Sequence, residues 1–446
     1  MRKTSLFASL MCVLLSTCAL AVGGDMGGAD PNGSAEKPYL IKDINDFDVF
    51  ASDPNYWAAG VHTKLMTNID LAGRTYITAV IAPDGGGSSG VFQGTPFSGN
   101  FDGNGFIVKN LSINGTRYCG LFGKINTGSE VKNLGTKNVF IIGTLYYYIG
   151  GLVGQNYYGS IMNSYSTGTV NGGSAGGLVG ENWSGTITSC HSSGAVVASG
   201  TYSAGGLVCS NYGGIIDSYS TCTVDGYTAG GLVGSNSPRG VGGPNDGRIA
   251  SCYSTGAVTA SYEVGGLAGS NQGSITDCYS TGSVNGGSFV GGLIGSTWGG
   301  IIVNSYSTGS VNGDLPVGGL IGENLISSVT NCFWDTDTSG QTTSHGGTGK
   351  TTAQMMTQST FTGWDFVNDW MMLREGEDYP RLAWQEVFEG DIAGLYGADM
   401  VDFAYLAGYW GLTGCNTGTD CGRADIDGSG DVWLPDLAAV AEDWLR

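Results

Sequence analysis

Cations are scarce in this sequence. Eighteen Lys and Arg stand against 38 Asp and Glu, a formal charge of −20. A surface of that sign repels phosphate backbones, which excludes nucleic acid as a partner. Histidine is scarcer still: His62, His191 and His345 are the only three, and they offer no nucleophile–His–acid set. After the first 21 residues no apolar run is long enough to span a bilayer, so the mature chain is expected to have no membrane span. There is no C-x-x-C spacing among the 11 Cys, hence no zinc pattern. The 80 Gly show no G-X-Y period, which excludes a collagen helix. GTGKTT at Gly347 lacks the first glycine of a phosphate loop, because Ser344 stands there.

What is present begins with MRKTSLFASLMCVLLSTCALA. Arg2 and Lys3 precede a short apolar core and an A-x-A cleavage site at Ala19–Ala21, the pattern of a secretory signal peptide over residues 1–21. A lipidated Cys18 is the rival, with Thr17 a poor residue before it. Residues 22–36 read as a flexible N-terminal segment.

Periodicity dominates the rest. A G-L element centres on Leu121, Leu152, Leu178, Leu207, Leu232, Leu267, Leu293 and Leu320. Spacings run from 25 residues (Leu207 to Leu232) to 35 (Leu232 to Leu267). A second element follows each time: NSYSTGTV at Asn163, SCHSSGAV at Ser189, DSYSTCTV at Asp217, and again at Ser251, Asp277 and Asn304. Each unit holds about three short runs separated by turn residues, too little to bury an apolar face alone. Stacked units can bury it together. The expected fold is therefore all-β: a parallel, right-handed β-solenoid or β-helix with three faces per coil and capping segments at its ends. Gly fits where backbones approach closely at the corners. Leu178 and Val196 are expected to fill the interior. Asn156, Asn182, Asn211, Asn236, Asn271 and Asn324 share one turn position, with Thr297 the exception, and predict an Asn ladder from coil to coil. Cys190, Cys252, Cys278 and Cys332 take a position that is Ser164, Ser218 and Ser305 in other copies, which predicts small buried fillers with free thiols.

These GLVG repeats resemble the GLUG-motif family of secreted and surface-attached, adhesin-like bacterial proteins. The resemblance covers residues 115–335. It implies a structural repeat and no catalytic residues. Residues 37–114 are read as an N-terminal cap and first coils, with Ile41–Trp57 at helical spacing and Phe101–Ile113 as an early coil. Residues 336–385, rich in Trp, are read as the C-terminal cap.

The last segment, 386–446, changes character. Counting from Asp425, oxygen-bearing side chains fall at positions 1, 3, 5 and 12 of a calcium loop: Asp425, Asp427, Ser429 and Asp436. Gly430 stands at position 6, and Asp431 at 7 offers its carbonyl. A degraded copy lies 34 residues earlier, with Asp391 and Asp402 at the ends and Asp399 at position 9, but Ala393 and Leu395 where oxygens are needed. Behind each loop comes a helix pattern: Phe403, Leu406, Ala407 and Trp410 match Leu437, Val440, Ala441 and Trp444. Two such units look like a type I dockerin, a small α-helical EF-hand-like domain. That resemblance implies Ca2+ as cofactor, held by Asp425, Asp427, Ser429, Asp431 and Asp436, and a cohesin-like module as partner. Cys415 and Cys421 flank the connection between the units, and a disulfide is expected between them.

Candidate chemistry on the repeats is thin. From Gly151 to Cys332 only Arg239 and Arg248 are basic. Asp217 and Asp277 share a repeat position two coils apart, roughly 10 Å at ~4.8 Å per coil, loose for a hydrolase pair. Glu181 and the other acids read as solvated or turn carboxylates. One row draws notice: Tyr157, Trp183 and Tyr212 follow the Asn position in three successive coils, and Trp298 does so further on. Rings in file can stack on sugars, or simply pack. The sequence thus points to a secreted or cell-surface, non-catalytic adhesion or scaffolding protein with polysaccharide as possible ligand. The alternative is an extracellular polysaccharide lyase or glycoside hydrolase, sited at the insertion SPRGVGGPNDGR between Ser237 and Arg248.

Overall fold

The computed structural model describes residues 32–86, 91–144, 147–240, 246–385 and 400–411, together with 424, 432 and 434–444. The chain divides into two compact units, Met1–Pro380 and Arg381–Arg446.

The first unit is a parallel β-solenoid. Its coils lay short strands on three sheets, and the pairings between coils are parallel. One sheet has 11 strands, from Tyr39–Ile41 and His62–Leu65 to Ser328–Thr330, one per coil. Its inward file includes Ile161, Ile187, Ile215, Ile249, Ile275 and Ile302, all fully buried. A second sheet of eight strands runs from Phe122–Ile125 to Ile321–Leu325 and carries the Asn corner. The third contains 21 strands because each coil crosses it in broken pieces, such as Tyr219–Ser220, Thr223–Gly226 and Thr228–Gly230.

The leucines of the G-L elements are all fully buried, and their backbones bond coil to coil: Leu178 N–H to Leu207 O at 2.9 Å, Leu207 to Leu232 at 2.8 Å. A methyl group added at Gly206 would overlap the Gly231 carbonyl, and one at Gly231 the Gly266 carbonyl. These glycines are set by close approach of successive coils rather than by turn geometry.

The Asn file is a continuous ladder. Asn156 Nδ2 donates to Asn182 Oδ1, Asn182 to Asn211, Asn211 to Asn236 and Asn236 to Asn271, each at 2.8 Å. All five are fully buried. Asn271 then donates to Thr297 Oγ1 at 3.2 Å, and Thr297 meets Ser327 Oγ at 2.9 Å. Asn324 is not a rung, contrary to the sequence expectation. Its amide bonds Ser327 of its own turn, as the other amides do in theirs, but the coil before it offers the Thr297 hydroxyl in place of an amide, and that hydroxyl meets Ser327 Oγ instead.

A second file went unread in the sequence. Tyr165, His191, Tyr219, Tyr253, Tyr279 and Tyr306 stack ring on ring at 4.8–5.1 Å, within 1–8° of parallel. His191 is one ring of that stack, and burial lowers its pKa. Just before it lies a left-handed corner. Asn133, Asn163, Ser189, Asp217, Ser251, Asp277, Asn304 and Asn331 all have φ between 46° and 53°. Short polar side chains tolerate that conformation best, which accounts for Asp217 and Asp277 without catalysis. The Ser/Cys position follows. Ser164, Cys190, Ser218, Cys252, Cys278, Ser305 and Cys332 each donate to the carbonyl two residues back. The thiols are free and buried, and burial pushes Cys190 and Cys332 up to about 12.

Both ends are covered. Helix Ile44–Ser52, capped by Asp43, places Phe47 and Phe50 in the core; Phe50 meets Phe101 at 5.3 Å and Phe97 at 6.3 Å. At the other end the segment through Trp364 and Trp370 lies over the last tyrosines. Trp370 Nε1 donates to Asp277 Oδ1 at 3.0 Å, and the Tyr306 hydroxyl donates to Pro380 O at 2.6 Å.

In the second unit, helices Met400–Tyr409 and Leu434–Trp444 enclose a small core of Leu406, Ala424, Val432 and Val440, flanked by Phe403, Tyr409 and Leu437. Tyr409 packs where Trp410 was expected: Trp410 is 41% exposed and Ala407 is also exposed. Asp436 lies fully buried in the first turn of the second helix. The loop positions Asp391, Asp399, Asp425, Asp427, Ser429 and Asp431, and Cys415 and Cys421, lie outside the described residues, as does the side chain of Asp402.

The ladder sets a stability expectation. Asn211→Ala strands the amides of Asn182 and Asn236 inside the stack, so it should cost about 1–3 kcal/mol per stranded group. Urea unfolding of the full chain should show a lowered midpoint with an unchanged slope. An unchanged midpoint would contradict the ladder's role.

Candidate functional site

The eight-stranded sheet carries one polar row outside the Asn ladder. In the later coils it is Ser210, Ser235, Ser270 and Ser296, with Glu323 in the last. In the earlier coils the in-register partners are Lys124, Gln155 and Glu181. Long side chains thus replace serine in three consecutive coils, and parallel register sets them side by side.

Glu181 is only 1% exposed. Gln155 Nε2 donates to its Oε2 at 2.5 Å, and the Tyr148 hydroxyl bonds it as well. Burial raises the Glu181 pKa, opposed by these two bonds and by the nearby charges of Lys124 and Arg239. The same burial lowers Lys124, pushes Tyr118 up to about 12 and raises Tyr148 and Tyr212, with the Glu181 charge adding to each tyrosine's shift. Gln155 Oε1 is buried without a hydrogen-bond donor. Beside this row, Arg117 forms a buried ion pair with Asp84 at 2.5 Å.

The aromatic row lies next to it. Tyr157 and Trp183 are in register, with ring centroids 6.3 Å apart and 18° between planes. Tyr212 meets Trp183 edge-on at 5.5 Å. Lys124 Nζ sits 4.5 Å from the Tyr157 centroid, and Arg239 Cζ sits 3.3 Å from that of Trp183. Arg239 belongs to the insertion, so the structure joins two features that stood apart in the sequence. Trp298 does not join them. It lies three coils on, beyond Ser237 and Gln272, pairs in register with Leu325 and is 63% exposed. The expected strip of four is a cluster of three with a remote tryptophan.

Sequence reasoning passed over Lys124, Gln155 and Tyr148, and it read Glu181 as a solvated or turn carboxylate where the structure buries it. The available signal was the residue just before the Asn position, which is Gln155 and Glu181 where the next four coils write Ser. The carboxylate is buried with the charges of Lys124 and Arg239 near it, so it can hold those cations near the aromatic faces. Among the described residues no group of three or more His, Cys, Asp or Glu is placed to hold a metal, and no helix is long and apolar enough to cross a membrane.

Comparison with known proteins places the repeat. The GLUG motif matches residues 146–171, 171–197 and 260–285. A protein of Evansella cellulosilytica described as a Gly-rich membrane protein is 34% identical over 166 residues, 35% of this chain and 18% of its own length. Halomucin of Haloquadratum walsbyi is 34% identical over 146 residues, 32% of this chain and 2% of its own length. The chain therefore spans only a small part of the curated relatives it matches. Among solved structures, an IgA1 protease chain aligns with a TM-score of 0.43 at 19% identity, covering 69% of this chain and 22% of that one. A chain described as an immunoglobulin A1 protease from Bacteroides ovatus aligns with a TM-score of 0.37 at 21% identity, covering 80% and 96%.

The raised Glu181 pKa has a testable sign. The folded state holds this proton more tightly than the unfolded chain does. Its contribution therefore favours folding at low pH and fades as pH rises from the ordinary value of 4.5 through the folded-state value. Glu181→Gln should remove that fading. Thermal unfolding across a pH series should show the variant gaining on the native chain as pH rises through this window; parallel curves would mean that burial of the carboxylate carries no penalty. Whatever that outcome, the chain is a parallel β-solenoid carrying GLUG-motif repeats.

Proposed function

We propose that this is a secreted or cell-surface, non-catalytic adhesion or scaffolding protein, with a solenoid displayed through a calcium-dependent dockerin-like module. The observation that carries this reading is how the coils are used. File after file serves stacking, and one outward patch, around Tyr157, Trp183 and Tyr212, departs from the repeat to gather rings, an amide and cations. Aromatic rows of this kind suit polysaccharide. Export through the N-terminal signal, and relatives named as a membrane protein and a halomucin, support a place outside the cell or on its surface. The A-D-I-D-G-S-G-D spacing supports the tail. Its one described ligand candidate, Asp436, is buried at the start of its helix, a setting that suits the last ligand of a calcium loop. Asp425, Asp427, Ser429, Asp431 and Asp436 would hold the ion; Asp391, Asp399 and Asp402 are the degraded counterpart. The partner would be a cohesin-like module.

A second reading, a polysaccharide-degrading enzyme, draws on Arg239: the insertion delivers a cation onto the ring row beside Glu181.

Calcium titration of the full chain tests the first reading. One ion per chain is expected from the second loop, and Asp427→Ala should abolish its binding. No calcium bound by the native chain would remove the dockerin-like module. Depolymerisation of a polysaccharide by the native chain, lost in Arg239→Ala, would replace the first reading with the second.

A further inference from the structure

The aromatic row carries a charge pattern unlike the rest of the chain. The formal charge is −20, and between Gly151 and Cys332 only Arg239 and Arg248 are basic. Arg239 nonetheless converges with Lys124, more than a hundred residues away in sequence, on adjoining rings. Neither lies there by repetition. Lys124 stands in a row that is serine in later coils, and Arg239 arrives on the insertion.

Their placement changes what the rings can receive. A neutral sugar binds an aromatic ring by laying its apolar face against the ring face. Here the guanidinium covers Trp183 and the ammonium stands over Tyr157. A neutral chain would have to displace both cations. An anionic group does not: it pairs with them while the sugar ring slides along the aromatic edge. Arg239 is exposed and offers a planar fork suited to carboxylate or sulfate oxygens. The charge of Glu181 draws both cations toward the row. From Gly151 to Cys332 the other charged side chains are mostly acidic, so on these coils a polyanion is favoured where Arg239 stands.

We propose that the Tyr157–Trp183–Tyr212 row binds an anionic polysaccharide, with Lys124 and Arg239 receiving its carboxylate or sulfate groups. This rests on the reading of the row as a glycan-binding surface and specifies the class of glycan.

Affinity electrophoresis of the full mature chain separates the two. Gels contain polygalacturonate, dextran sulfate, neutral dextran or neutral xylan, with calcium and again with chelator. Retardation in one or both acidic gels, absent from the neutral gels, is expected; which acidic gel retards tells carboxylate from sulfate. It should persist in chelator and weaken with salt. Arg239→Ala, an exposed substitution that leaves folding intact, should weaken it on the order of tenfold. Trp183→Ala should weaken it as well. Retardation in acidic gels that Arg239→Ala leaves unchanged, or that chelator abolishes, overturns the proposal: calcium would then be bridging two acidic polymers. Retardation only in neutral gels, or stronger there after Arg239→Ala, overturns the anionic assignment and leaves the glycan reading standing. No retardation in any gel ends both.

Discussion

Every part of this solenoid depends on parallel, in-register stacking of one coil on the next. A residue in a coil meets its own counterpart about 4.8 Å away, above and below. Only residue types that tolerate their own company can repeat. Glycine does so where carbonyls press close, as at Gly206 and Gly231. Asparagine does so because its amide donates on one side and accepts on the other, and so closes a ladder from Asn156 to Asn271. Tyrosine does so by stacking ring on ring from Tyr165 to Tyr306, with His191 as an aromatic substitute. Serine and cysteine exchange freely at one position because hydroxyl and thiol both reach the carbonyl two residues back.

The same constraint explains where function is found. A position that repeats is already assigned to neighbours in the stack. A position that breaks the pattern is free to do something else, and unlike side chains placed in register must reconcile their charges. Lys124, Gln155 and Glu181 do this in three consecutive coils: amine, amide and acid lie side by side, so the buried carboxylate is countered rather than isolated. The insertion adds Arg239 to the same patch. Among coils that hold only one other basic residue between Gly151 and Cys332, Arg248, that cation stands out electrostatically.

Much of the fold was legible because the repeat is written in full. Leu178, Val196 and the Asn file pointed inward on period alone, and they are buried. Register, however, is not visible to a reader of one coil at a time. The tyrosine stack escaped because Tyr165, His191 and Tyr219 look like a loosely kept turn residue until they are laid at one height. Asn324 misled because the coil before it holds Thr297, whose hydroxyl passes the ladder to Ser327. Trp298 misled because it shares a repeat position with Tyr212 across two coils, at Ser237 and Gln272, that lack an aromatic. Glu181 was read as a turn carboxylate because nothing local shows that Tyr148, from the coil before, covers it. Arg239 could not be placed, since an insertion has no counterpart to stack on.

Hydrogen–deuterium exchange of the full chain, resolved along the sequence, tests the stacking claim most directly. If in-register coils hold the molecule together, amides of the paired strands from Leu121 to Cys332 should exchange slowly in coil after coil, and so should the glycine-rich corners between them, since those corners donate to the next coil. Isolated protected islands, or glycine-rich segments such as Ala175–Gly185 exchanging like unfolded chain, would contradict it.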